Sequence, residues 1–249
     1  MTEPQPPDSR HDDALTEFDL PLVQRLALQL QVTVLSVLLR ASDVLLVVLR
    51  PRLLGPYLGI WWEGILRTPY RARRSFEVVR ALQASGQRFR ELVYGETPLV
   101  TALFVLKRAG VGPSSRLVDL GAGRGRVLIA ASWLGSLAHG VELLAEHVNR
   151  VAPRLRAAGM TLEEGDMMRA DLSQATHVFT NWVALGDETK ARLVAHLRTC
   201  QPGTRIITVT RSIEAEDFPR RSRHWALFSW GLEAVWVHEY RPKAPPELA

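Results

Sequence analysis

Cysteine is nearly absent. Cys200 stands alone in 249 residues, which leaves no internal disulfide and no thiolate set for a metal cluster. The seven histidines, at 11, 139, 147, 177, 196, 224 and 238, form no His-x-x-x-His pair, and none follows a glutamate at Glu-x-x-His spacing. No metal centre is expected. The acidic, proline-bearing start lacks the basic n-region of a secretion signal. A reducing, cytoplasmic setting is the expectation.

A long apolar run is missing too. In the N-terminal third the chain runs without formal charge from Leu26 to Leu39, 14 residues that include Gln29, Gln31, Thr33 and Ser36. A membrane span needs about 20. Extending it to Leu49 takes in Arg40 and Asp43, each costing roughly 3 kcal/mol at the bilayer centre. Their i, i+3 spacing allows a pair that softens the cost. Three arrangements stay open: a span, a helix lying in the inner face of a membrane, or a helix packed on the protein itself or on a partner. If it spans, Arg50, Arg52 and the arginines beyond put the C-terminal side in the cytoplasm.

Charge of both signs is present but unevenly laid out, within a net +5. Residues 1–19 carry six carboxylates against Arg10 and, with Pro4, Pro6 and Pro7, read as a disordered acidic tail. Residues 67–90 carry seven arginines against Glu77, which suits an anionic partner or a solvated helix face. Residues 20–92 read as a helical anchor or lid. Its first helix is stopped at Pro51, Gly55-Pro56-Tyr57 forms a turn, Trp61-Trp62 is an aromatic pair, and a further helix starts at Pro69. Contact with a membrane surface through residues 20–74 is one of the arrangements left open.

The chemistry concentrates in Leu117-Val118-Asp119-Leu120-Gly121-Ala122-Gly123-Arg124-Gly125-Arg126. An apolar strand ends in a carboxylate, three glycines follow at alternate positions, and a helical pattern resumes. Such a loop lets a ligand sit on bare backbone. A dinucleotide fingerprint would place its third glycine at 126, where the chain has Arg126. Asp119 would also repel a pyrophosphate. A carboxylate there suits an ammonium or sulfonium, and S-adenosylmethionine carries both. Glu142 ends the second predicted strand 21 residues after Gly121, near the offset of about 20 at which an acid meets ribose hydroxyls. Gly165-Asp166-Met167 follows the third strand. Thr176–Trp182 is the fourth and its exit, which aims Asn181 and Trp182 at the carboxyl-end crevice where such sheets hold ligands. A strand over 205–209 and a hairpin built from Trp225–Trp230 and Glu233–Tyr240 close the pattern. Upstream, Thr97 is predicted to cap a helix beginning at Pro98.

Asp119-x-Gly121-x-Gly123-x-Gly125 resembles motif I of the class I methyltransferases. That implies an α/β, Rossmann-like, doubly wound sheet over residues 93–242 with a C-terminal antiparallel hairpin, an α-helical region before it, and a tail at 243–249. Tyr94-Gly95-Glu96-Thr97, Asp119-Leu120-Gly121, Gly140-Val141-Glu142, Gly165-Asp166 and Val178–Asn181 are similar in order and spacing to the disruptor-of-telomeric-silencing-like histone lysine methyltransferases. The hydrophobic N-terminal helix and the Gly231–Trp236 ending look more like the ATP synthase c-subunit and adenine nucleotide translocase lysine methyltransferases.

The resemblance covers Tyr94 to Tyr240. It implies that Tyr94, Glu96 and Thr97 border the methionine end of S-adenosylmethionine. Asp119, Gly121, Ala122 and Gly123 form its loop, Glu142 holds the ribose, Asp166 and Met167 take the adenine, and Asn181 lines both cofactor and acceptor. Where the histone enzymes have Asn-Asn this chain has Asn181-Trp182, and an aromatic there suits a methylammonium or a flat substrate. The leading expectation is methyl transfer to a protein lysine, with Asn181, Tyr94 and Trp182 at the reacting centre. The alternatives are a small-molecule or ribosomal-peptide acceptor and a non-catalytic cofactor-binding scaffold. A nucleic-acid acceptor is not expected, because no Asn-Pro-Pro-Tyr-type motif follows the fourth strand.

Overall fold

The computed structural model describes residues 22–66 and 97–243. Tyr94, Glu96, the arginine-rich segment, the helix expected from Pro69 and the acidic tail lie outside the described residues.

The chain opens on a 27-residue helix, α1 (Leu22–Val48), a 3-10 turn (Pro51–Leu53) and α2 (Leu54–Leu66). Pro51 ends the first helix as expected. Gly55-Pro56-Tyr57, however, is no turn. Pro56 lies in the first turn of α2, where its missing N–H has no helical partner to lose, so the helix runs through it. After 97 the order is α3 (Leu99–Arg108), β1 (Arg116–Leu120), α4 (Arg126–Trp133), β2 (Leu137–Glu142), α5 (Ala145–Ala157), β3 (Thr161–Glu164), a 3-10 turn (Met167–Arg169) and β4 (His177–Thr180). Then come α6 (Asp187–Leu197), β5 (Arg205–Val209) and the hairpin β6 (Arg220–Phe228) and β7 (Gly231–Glu239).

The seven strands form one sheet in the order β3-β2-β1-β4-β5-β7-β6. The first five are parallel, and β7 runs antiparallel between β5 and β6. A parallel sheet must be covered on both faces, and alternate residues of each strand serve the two. Leu117, Phe179, Ile207 and Val235 pack with α1 to α5, whereas Val118, Val178 and Ile206 pack with Leu193 and Leu197 of α6. Strand order reverses between β1 and β4, which opens the crevice at their carboxyl ends.

The N-terminal helices share this core through Val47, Tyr57 and Ile60, all buried. Asp43, fully buried, accepts hydrogen bonds from Tyr57 Oη at 3.1 Å, Val100 N at 3.0 Å and Arg126 at 3.2 Å. It therefore pairs with the first residue of α4 and not with Arg40, which is exposed. Burial drives the Asp43 carboxyl above its ordinary range, against the pull of Arg126 and the hydrogen bonds. Among the described residues no helix is long and apolar enough to cross a membrane.

Candidate functional site

The β1-to-α4 loop is built by glycines that turn left-handed. Gly121 has φ 81°, and a side chain there would meet nothing within 4 Å among the described residues. Gly121 N and Ala122 N donate to Val141 O at 2.9 and 3.0 Å, which ties the loop to β2. Gly140 makes that approach feasible, since a Cβ there would lie 2.7 Å from the Ala122 Cβ.

Two carboxylates flank the loop from adjacent strands. Asp119 is 2% exposed, and its Oδ2 is buried with no hydrogen-bond partner among the described residues. Burial, and then the Glu142 charge, hold its carboxyl well above the usual carboxylate range. Glu142, also buried, accepts from Gly123 N at 2.8 Å and from Leu144 N at 2.9 Å. Each of its oxygens thus keeps a lone pair for a further donor. His147 stands behind it at 3.9 Å.

At the end of β3, Asp166 uses Oδ1 to cap the 3-10 turn through Met168 N at 2.9 Å. Met167 is buried in the core against that face of the sheet, and Met168 is the half-buried methionine of the pair. At the end of β4, Asn181 follows Thr180, which is paired with Leu120 of β1. Its Oδ1 is buried and has no partner among the described residues, as is the case for the Thr180 hydroxyl.

Trp182, expected at the reacting centre, packs into the core. It is 2% exposed, with its indole N–H donated to Arg211 O at 3.0 Å. Burying so large a ring outweighs any gain from exposing it to a ligand. Thr97 differs as well. Pro98 takes the N-cap position of α3 and no side chain caps the helix, while Thr97 is buried at the edge of the described residues.

Thr210 was not anticipated. It leaves β5 with φ 73°, costly for a β-branched residue, and its hydroxyl is buried with no partner among the described residues. Surrounding bonds hold it there: Thr210 N donates to Ala234 O at 2.7 Å, and Trp236 donates to Thr210 O at 3.3 Å. Strain over-determined in this way gathers at functional positions. No sequence signal marks a threonine for positive φ.

The fold is that of the class I methyltransferases. The chain is similar to an RNA methyltransferase from Salinibacter ruber in complex with S-adenosyl-L-homocysteine, at 23% identity and a TM-score of 0.51, over 62% of this chain and 99% of that one. It is similar to TrmN from Thermus thermophilus at 19% identity and a TM-score of 0.51, covering 61% of this chain and about half, 51%, of that one. A structure described as the conversion of a disulfide bond into a thioacetal group during echinomycin biosynthesis matches at 12% identity and a TM-score of 0.50, over 68% of this chain and 95% of that one. No protein-family model matches the sequence, and no curated protein matches it.

The residues present fit S-adenosylmethionine. A glycine loop, a buried carboxylate oxygen lacking a donor among the described residues and a second carboxylate with spare lone pairs are the complement of a ligand bearing cations and ribose hydroxyls. Among the described residues no group of three histidine, cysteine or acidic side chains is arranged for a metal ion. Burial pushes the Cys200 thiol up to about 12, which leaves it a packing residue with no nucleophilic role.

Proposed function

We propose that the chain is an S-adenosylmethionine-dependent methyltransferase whose acceptor is the side-chain amine of a protein lysine. One observation carries the reading: Asp119 and Asn181, at the ends of neighbouring strands β1 and β4, each present a buried oxygen that no described group satisfies. An unmade buried hydrogen bond costs about 1–3 kcal/mol, so both oxygens favour a ligand that brings donors. Asp119 and Glu142, with the loop of Gly121, Ala122 and Gly123, hold the cofactor, and Asp166 meets the adenine. Asn181 accepts from the N–H of the incoming amine and orients it.

When bound, the cofactor supplies an electrophilic methyl group. A lysine must first lose a proton, which at pH 7 costs roughly 4.6 kcal/mol from a reference pKa near 10.4. Desolvation favours the neutral amine, so orientation by Asn181 is the larger share of what the chain itself contributes.

A small-molecule acceptor is the second reading, favoured by one departure. With Trp182 in the place of a second asparagine, this chain has one amide where the histone enzymes it resembles have two. The Salinibacter protein is an RNA methyltransferase; RNA is therefore a third arm of the test.

The test is purified full-length protein with methyl-labelled S-adenosylmethionine and a cell lysate. Methyl-lysine recovered from labelled protein bands is the expected result. Label confined to extracted small products or to RNA removes the lysine assignment and keeps the enzyme class. No label anywhere, with no calorimetric binding of S-adenosylhomocysteine, removes both. Asn181→Ala is expected to lower kcat about 100-fold, the scale of a misplaced acceptor. Undiminished turnover would end its acceptor role.

A further inference from the structure

The N-terminal helices carry a second apolar face that the described residues leave uncovered. On α1, Leu39, Asp43 and Val47 point into the molecule at a spacing of four. On the opposite side Leu30, Val34, Val37, Leu38, Ala41, Val44, Leu45, Val48 and Leu49 recur at three and four residues and fall on one stripe. These side chains are far from sheltered: Leu30 is 66% exposed, Leu45 70% and Leu49 70%. Leu58 and Trp62 of α2 are exposed as well, Trp62 at 54%. Stripes of this extent mark an interaction surface.

The accompanying charge selects the occupant. Of the charged side chains described on α1, α2 and the turn between them, Asp43 is buried, while Arg40, Arg50 and Arg52 are exposed. The sequence then adds seven arginines against one glutamate over residues 67–90. A second copy would bring the same positive rim against itself, and like charges facing across a two-fold interface repel. An anionic bilayer surface offers acyl chains for the stripe and phosphates for the arginines. Since no described helix can cross a membrane, the contact lies in the plane of the surface.

We infer that the outward stripe of α1, with the exposed Arg40 beside it and Arg52 beyond its end, docks the protein on an anionic lipid surface. The inference is independent of the methyl acceptor. The probe is a set of vesicles, phosphatidylcholine alone against phosphatidylcholine mixed with phosphatidylglycerol, co-sedimented with the full chain.

At least tenfold stronger partition to the anionic vesicles is expected, weakening as salt rises. Leu38→Asp and Leu45→Asp lie on the exposed side, so each is expected to abolish that partition while the melting temperature holds. Binding to neither vesicle overturns the inference, as does equal binding to both. Partition that survives Leu38→Asp and Leu45→Asp also overturns it. So does a dimer, seen by light scattering, that these substitutions dissolve without any effect on vesicle binding.

Discussion

Asp119 is buried at the end of β1 with the Glu142 charge nearby, so in the free protein its ionised form is disfavoured. The consequence for pH runs one way. An aspartate whose folded pKa is raised contributes stability in full below its unfolded value, near 3.9, and loses that contribution as pH rises through the folded value. At neutral pH the free protein therefore carries a penalty that a bound cation relieves. Asp119→Asn removes the penalty with the cation site. Its melting temperature is expected to rise while affinity for S-adenosylmethionine falls at least about tenfold, the scale of one charge-assisted contact. Calorimetry of the native protein in buffers of different ionisation enthalpy should show proton release on binding, and a weaker Kd as pH drops through the raised value. Unchanged affinity in the variant would remove Asp119 from the site. That Asp119, Gly121 and Glu142 meet around one loop was legible in the sequence, because they lie along one short β-loop-α-β stretch whose turn chemistry is strong. Thr210 and the burial of Trp182 were not, since each depends on a loop gripped from strands far along the chain.

Between β5 and β6 the chain uses a loop and no helix, and His238 of β7 pins it from below. The ring accepts from Ile213 N at 3.2 Å through Nε2 and donates to Phe218 O at 3.0 Å through Nδ1, a pattern only the neutral imidazole can make. Burial keeps His238 below its ordinary pKa. A histidine depressed in the folded state contributes stability above its unfolded value, near 6.5, and that contribution is lost as pH falls through the folded value. Amide exchange in residues 212–218 is expected to accelerate below about pH 6.5, ahead of the parallel strands, and His238→Gln should flatten the dependence. Exchange that is uniform across the sheet would contradict this. Element boundaries in the sequence were clearest where turn chemistry was strong: β5 occupies Arg205–Val209 as predicted after Gln201-Pro202-Gly203. β6 begins five residues before the expected Trp225, because Arg220, Arg221 and Arg223 give an edge strand the composition of a loop.

At the scale of the molecule, the N-terminal helices and the sheet are one packed body joined at a polar node. Leu39 and Val47, the described apolar side chains that α1 buries, contribute roughly 2 kcal/mol each. Asp43 rivals them. It holds Tyr57 of α2, the N-terminal N–H of Val100 in α3 and Arg126 at the head of α4, so one carboxylate meets three helices. Its raised pKa shows that burial costs more than the partners return, and a fitted hydrophobic replacement of the whole node need not be weaker. Removing one member alone is different. Asp43→Ala leaves the Arg126 cation buried without this partner, at a cost of about 3–5 kcal/mol. That is comparable to what Leu39 and Val47 contribute together. Denaturant unfolding is expected to show this loss, and Asp43→Ala with Arg126→Leu should recover much of it, a coupling that a merely local helix defect would not produce. Arg126 is also the residue at which the glycine loop becomes α4. Loosening α1 is therefore expected to weaken cofactor binding from more than one helix away, and calorimetric titration of Asp43→Ala with S-adenosylhomocysteine measures it. An unaltered Kd in a destabilised variant would mean that α1 braces the fold without bracing the site.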